Sequence, residues 1–151
     1  MLMLLAFGLN TLLVSGAILI HYEILFVLDR TMPRLNHIPP RVRVMLGVGV
    51  IFVAHVLEIW LFALGYFLSL KVEGMGTLLG ETAGHGYFLD CVYLSFVTFT
   101  TVGYGDFVAQ GYMRYLTGVE ALTGLILITW SASFLFFEMQ KYWTDAKRKE
   151  D

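Results

Sequence analysis

Cysteine is nearly missing from this sequence: Cys91 is the only one among 151 residues. No intrachain disulfide can form, and no metal site can rest on paired cysteines. The compartment therefore cannot be read from redox chemistry. Proline is scarce as well, and Pro33, Pro39 and Pro40 all fall in one short stretch. Charged residues make up only 15% of the chain, and no lysine or arginine interrupts its long apolar runs. Regularly spaced arginines inside a span, the mark of a voltage sensor, are thus excluded. The formal net charge of −2 carries no basic balance that would suggest nucleic acid. No activated nucleophile and no metal-ligand spacing points to an enzyme, a resident cofactor or a small-molecule substrate. The N-terminal run has no basic leader and no small-x-small cleavage signal, so a cleavable signal peptide is not expected.

What the chain has is apolar length. Hydrophobic residues make up 58% of it, and its mean hydropathy is +0.72. That leaves too little polar surface for a soluble domain of this size. Three runs, 2–28, 44–70 and 115–137, exceed the roughly 20 residues that cross a bilayer. A fourth, 88–100, is too short to cross and suits a re-entrant helix, tolerated where protein or a wet cavity surrounds it. The expected class is an all-α membrane protein with three transmembrane helices and one re-entrant helix.

Basic residues set the expected orientation. Arg30, Arg34, Arg41 and Arg43 lie in the connection 29–43, and Lys141, Lys147, Arg148 and Lys149 lie in the tail 139–151. Only Lys71 and Arg114 lie elsewhere. By the positive-inside rule the connection and the C-terminus face the cytoplasm, and the N-terminus faces outward. The arginine cluster reads first as a topology signal, and secondarily as a contact for anionic lipid. The glycine-rich stretch 71–86 (Gly74, Gly76, Gly80, Gly84, Gly86) reads as an outer loop, and Glu73 and Glu81 as its solvated charges. Pro33, Pro39, Pro40 and Asn36 mark 29–43 as a loop. Tyr142 and Trp143 read as interfacial anchors.

Between the short helix and the last span lies Thr100-Thr101-Val102-Gly103-Tyr104-Gly105-Asp106. Gly103 and Gly105 reach positive φ at little cost. Residues alternating between the two backbone hands point successive carbonyls one way, and such a row replaces the hydration shell of a cation. Asp90 lies in the first turn of the short helix, at the positive end of its dipole. The negative end points into the membrane interior, where it favours a cation.

The run Thr101-Val102-Gly103-Tyr104-Gly105 is identical to the selectivity filter of potassium channels, and the stretch from Ser95 to Asp106 resembles their pore helix and filter. The pattern of outer helix, pore helix, filter and inner helix covers 44–138, most of the chain, with filter 101–105 and inner helix 115–137. Residues 1–28 form an additional first helix, as in short prokaryotic channels grouped as two-pore-domain-like. This chain has one filter loop, so that label describes likeness rather than pore count.

The resemblance implies a passive potassium channel in the plasma (inner) membrane, assembled with three further copies of itself and with lipid. The carbonyls of Thr101, Val102, Gly103 and Tyr104, and the Thr101 hydroxyl, would bind the transported K+. Gly105 and Asp106 would support the filter, with Thr100 beside it. Some relatives support that aspartate with a glutamate where this chain has Val97; others use a tryptophan near the positions of Tyr93 and Leu94. Tyr93 is therefore the expected donor to Asp106. Gly124 falls near the family's inner-helix hinge glycine, and Gly118 is a second hinge candidate. A subunit of a coupled potassium uptake transporter is the alternative; its filters usually depart from the full motif. A non-conducting adaptor would leave the motif unexplained.

Ionisable residues inside the spans stand apart: His21, Glu23, His55, Glu58 and Glu120. Such groups normally have partners or meet water. His55 and Glu58 share a helix face, and antiparallel packing brings His21 to a similar depth. The site reads either as a proton-sensitive gate or as a polar contact locking the helices. Glu120 either approaches the back of the short helix or snorkels. Ser131, Ala132 and Ser133 either leave room for hydrated ions or ease helix packing.

Overall fold

The computed structural model describes residues 1–35, 37–80 and 87–147, and side chains for 1–35, 37–80 and 88–141. Asn36, Glu81, Gly84, Gly86, Arg148, Lys149 and the side chains of Tyr142, Trp143 and Lys147 lie outside this description. Four helices carry the described residues: α1 (Leu2–Thr31), α2 (Pro40–Leu70), α3 (Tyr87–Phe99) and α4 (Met113–Lys147). A single 3-10 turn, Met32–Leu35, follows α1. Three segments, Leu2–Leu35, Pro40–Leu70 and Met113–Lys141, are long and apolar enough to cross a membrane, whereas Phe88–Phe99 is not.

The helix ends differ from the sequence expectation. The connection 29–43 is shorter than its prolines suggested, because α2 starts at Pro40 with Pro39 as its cap. Proline suits the first helical position, where its missing N–H would have no partner in any case. The last helix runs past residue 137 to Lys147. The outer segment after α2 also holds structure that glycine content concealed. Strand β1 (Leu78–Leu79) pairs antiparallel with β2 (Val108–Ala109). Backbone bonds Gln110 N to Thr77 O at 2.8 Å and Tyr112 N to Met75 O at 2.9 Å extend this pairing. The stretch preceding α3 is thereby tied to the stretch following the glycine-rich motif.

Helix α3 packs against both α2 and α4, and α1 lies against those same two long helices. The main core gathers Leu13 and Ala17 from α1, Ile59, Phe62 and Tyr66 from α2, Leu94, Val97 and Phe99 from α3, and Leu116 and Leu127 from α4. A smaller cluster joins Leu25, Leu28, Met32 and Ile51, with Phe134 and Leu135 against it. Much apolar surface stays outside both. Leu12, Leu19, Phe52, Trp60, Leu122, Leu125 and Phe137 are all exposed. Within the most apolar window of each long helix, only 22–28% is buried by the protomer. A surface of this kind requires lipid or further protein.

Helix α4 approaches α3 closely at one point. A Cβ at Gly124 would run into the carbonyl oxygen of Phe99 and lie 3.0 Å from its Cγ. At Gly118 a Cβ would meet nothing within 4 Å. Gly124→Ala is therefore expected to destabilise the protein by about 1–3 kcal/mol through overpacking. Gly118→Ala should be neutral or stabilising by up to about 1 kcal/mol through helix propensity. Thermal unfolding of the two variants in one detergent checks the contrast.

Candidate functional site

The motif after α3 has an alternating backbone. Thr101, Gly103 and Gly105 have φ of 60°, 51° and 81°, so every second residue lies in the left-handed region. A Cβ at Gly103 or Gly105 would meet no heavy atom within 4 Å, so the demand for glycine there is conformational rather than steric. Thr101 holds the same hand without being glycine. A β-branched residue at positive φ is strained, and such strain persists only where the surroundings over-determine it.

The surroundings do so from one side. The Thr101 amide donates to Thr98 O at 2.9 Å, and the Gly103 amide donates to Val97 O at 3.0 Å. Both bonds tie the loop back onto the end of α3. Thr100 Oγ1 donates to Phe96 O at 2.7 Å. Among the described residues, no backbone amide donates to the carbonyls of Thr101, Val102, Gly103 or Tyr104. These residues are exposed in the protomer, Val102 at 53% and Tyr104 at 72%.

Behind the loop, Tyr93 and Asp106 are brought together. Tyr93 Oη donates to Asp106 Oδ2 at 2.6 Å, and the Phe107 amide donates to Asp106 Oδ1 at 3.1 Å. Tyr93 also meets the Phe107 ring edge-on at 5.8 Å. The bond to Asp106 pushes the Tyr93 hydroxyl above its usual ionisation range, since it holds the proton donor in its neutral form. The contact is thus complete at neutral pH. Its contribution to stability is lost only as pH rises through that raised value, above the ordinary tyrosine pKa of about 10.

Two fully buried carboxylates lie deeper. Glu120 of α4 receives hydrogen bonds from Ser95 of α3, at Oε1, and from Tyr66 Oη of α2, at Oε2 and 2.5 Å. Ser95 Oγ also lies 2.8 Å from the Ile59 carbonyl. Glu120 therefore sits behind the short helix and does not snorkel. Glu58 of α2 meets His21 of α1 at 2.9 Å and His55 of its own helix at 2.8 Å. Ser131 of α4 is buried facing both histidines, while Ala132 and Ser133 are exposed. Glu23 is exposed on α1 and takes no part in this cluster. Ser95, Tyr66 and Ser131 were not identifiable as partners beforehand; a hydroxyl in an apolar helix signals nothing until its neighbour is known. Gly118 and Gly124 lie within α4, which continues through both.

A family model described as ion channel matches residues 52–141, which takes in most of α2, all of α3, the motif and α4 to its last described side chain. No curated protein and no solved structure matches the chain.

Removing the Glu120 carboxylate would take the acceptor from the buried Tyr66 hydroxyl, while Ser95 would keep the Ile59 carbonyl. An unsatisfied buried donor costs about 1–3 kcal/mol. Glu120→Leu is accordingly expected to destabilise by about 2 kcal/mol or more, and Tyr66→Phe by less. Thermal melting in detergent, with Glu120→Gln as the milder variant, checks the order.

Proposed function

Because the chain belongs to the ion-channel family, we propose that it is a passive, potassium-selective channel made by four copies around a common axis. The observation that carries this reading is the loop backbone. Alternating hands at Thr101, Gly103 and Gly105 allow successive carbonyls to turn to one side, while the amides of Thr101 and Gly103 are committed to α3. Carbonyls that take no backbone amide among the described residues are available to an ion. One loop supplies one wall of a coordination cage. A closed ring of identical subunits supplies the others.

In this reading the carbonyls of Thr101, Val102, Gly103 and Tyr104, with the Thr101 hydroxyl, replace the water around K+. Coordination must offset dehydration without trapping the ion. Several adjacent sites and repulsion between neighbouring ions allow entry and exit. Helix α3 enters the membrane without crossing it, and its negative end faces the inner cavity. Helix α4 lines the pore. The distribution of lysine and arginine supports an outward N-terminus, a cytoplasmic C-terminus and a filter toward the outer face of the plasma membrane. A coupled uptake transporter is not favoured, since the family match is to ion channels.

The test is ion flux in liposomes reconstituted with the purified full chain. Potassium flux should exceed sodium flux by about tenfold or more. Comparable fluxes would reject selectivity. Gly103→Ala should cut potassium flux at least about tenfold, because an L-residue resists φ near 51°. A variant conducting like the parent would reject the assigned role of the loop. Cross-linking that yields four subunits is the expected assembly, and a monomer that conducts would overturn it.

A further inference from the structure

The cluster of His21, His55 and Glu58 is unused by conduction through the filter. It lies between α1, α2 and α4, and its geometry is specific. Nδ1 of His21 lies 2.9 Å from Glu58 Oε1, and Nδ1 of His55 lies 2.8 Å from Glu58 Oε2. On the far side of each ring, Nε2 faces the same atom, Ser131 Oγ, at 3.4 Å from His21 and 3.2 Å from His55. The two rings stack with centroids 5.4 Å apart. Glu58 and His21 are fully buried, and the His55 side chain is 18% exposed.

We propose that His21, His55 and Glu58 bind a divalent transition-metal ion of borderline softness, Zn2+ being the type, within the membrane-spanning bundle. Two imidazoles and one carboxylate are a ligand set for zinc-like ions, whereas Mg2+ and Ca2+ prefer oxygen alone. One ligand atom from each of the three residues can be chosen so that all lie within 4.8 Å of one another. Three ligand atoms about 2.0–2.1 Å from a tetrahedral ion stand about 3.3 Å apart, so binding draws the widest pair together by up to about 1.5 Å.

Hydrogen bonding supports the same assignment. A neutral imidazole has one donor and one acceptor nitrogen, and a hydroxyl oxygen has two acceptor lone pairs. Ser131 Oγ is placed to accept from Nε2–H of both rings. In that form both Nδ1 lone pairs converge with the carboxylate oxygens, the arrangement that a bound cation would take up. In the metal-free protein a proton on each Nδ1 fills the role. On metal binding each ring shifts to its Nε2–H form, held by Ser131, as ligating histidines commonly are by an outer partner. The ion also supplies positive charge to a buried carboxylate that is costly to leave alone in hydrocarbon. Trp130 at 5.3 Å from His21 and Phe99 at 5.8 Å from His55 form apolar walls. The partly exposed edge of His55 is the entry side.

The site does not depend on the channel reading, so its test has a readout separate from flux. The full chain in detergent, stripped with chelator, is titrated with Co2+. The expected result is one ion per chain, with the visible absorption of low-coordinate cobalt, bleached by added Zn2+. His21→Gln and His55→Gln should each weaken binding by about tenfold or more. His55→Cys keeps a ligand, so it should still bind Co2+ and gain a thiolate-to-cobalt charge-transfer band that the wild type, with Cys91 buried elsewhere, lacks. This variant separates a lost ligand from a lost fold. No stoichiometric binding by the wild type, undiminished binding by the double variant His21→Gln/His55→Gln, or cobalt-loaded His55→Cys without the new band would each overturn the assignment.

Discussion

A loop whose carbonyls take no backbone amide among the described residues has to be held from behind, and much of this chain is arranged to do so. Thr101 sits at φ of 60°, a strained position for a β-branched residue, costing about 1–3 kcal/mol. Two amide bonds to the end of α3 fix the inner part of the loop. The Tyr93–Asp106 bond fixes its outer part. The β1–β2 pairing fixes the chain leaving it against the chain leading to α3. The strained residue is thus enclosed by restraints on both flanks.

Within the apolar bundle, the choice of packing arrangement falls to a few polar ties. Apolar side chains lose no water when helices meet in lipid, so they associate with little specificity. Glu58 and Glu120 supply what apolar contact lacks. Each is fully buried and each takes bonds at both of its oxygens. Glu120 joins α4 to α2 and α3 behind the filter loop. Glu58 joins α2 to α1, and Ser131 draws α4 to the same point. Two carboxylates at two depths thereby relate all four helices. The additional helix α1 is held by polar chemistry at His21 as well as by Leu13 and Ala17 in the core.

Much of this was legible in the sequence, and what was not has physical reasons. Hydrophobic run length marked all three long helices, because the period and extent of apolar residues are local properties. Gly103 and Gly105 signalled positive φ, since only glycine adopts it freely. Thr101 did not, because its conformation is imposed by the bonds around it. The pairing of Tyr93 with Asp106 followed from the resemblance to potassium channels, and the meeting of His21, His55 and Glu58 from helix spacing and orientation. Ser95, Tyr66 and Ser131 were hidden, as their partners lie far away in sequence. The β1–β2 pairing was hidden by its brevity and its glycines. Pro40 misled about the start of α2, because proline breaks a helix interior but suits its first turn.

Phe99 is where these arrangements converge. It is fully buried at the last position of α3, and its ring lies 5.8 Å from His55 and 6.4 Å from Phe62. Its carbonyl lies against Gly124, so close that α4 has no room for a side chain there. This contact alone explains a glycine at position 124, whether or not the helix bends at it. Gly118 has open space around it and no contact that requires glycine, so it is the freer of the two to act as a flexible point. Moving α4 away at Gly124 would uncover the Phe99 carbonyl, which the strained loop follows within two residues. Moving α1 or α2 at the histidine cluster would disturb the Phe99 ring. The glycine-rich loop, α4 and the histidine cluster therefore all meet at one buried residue, Phe99.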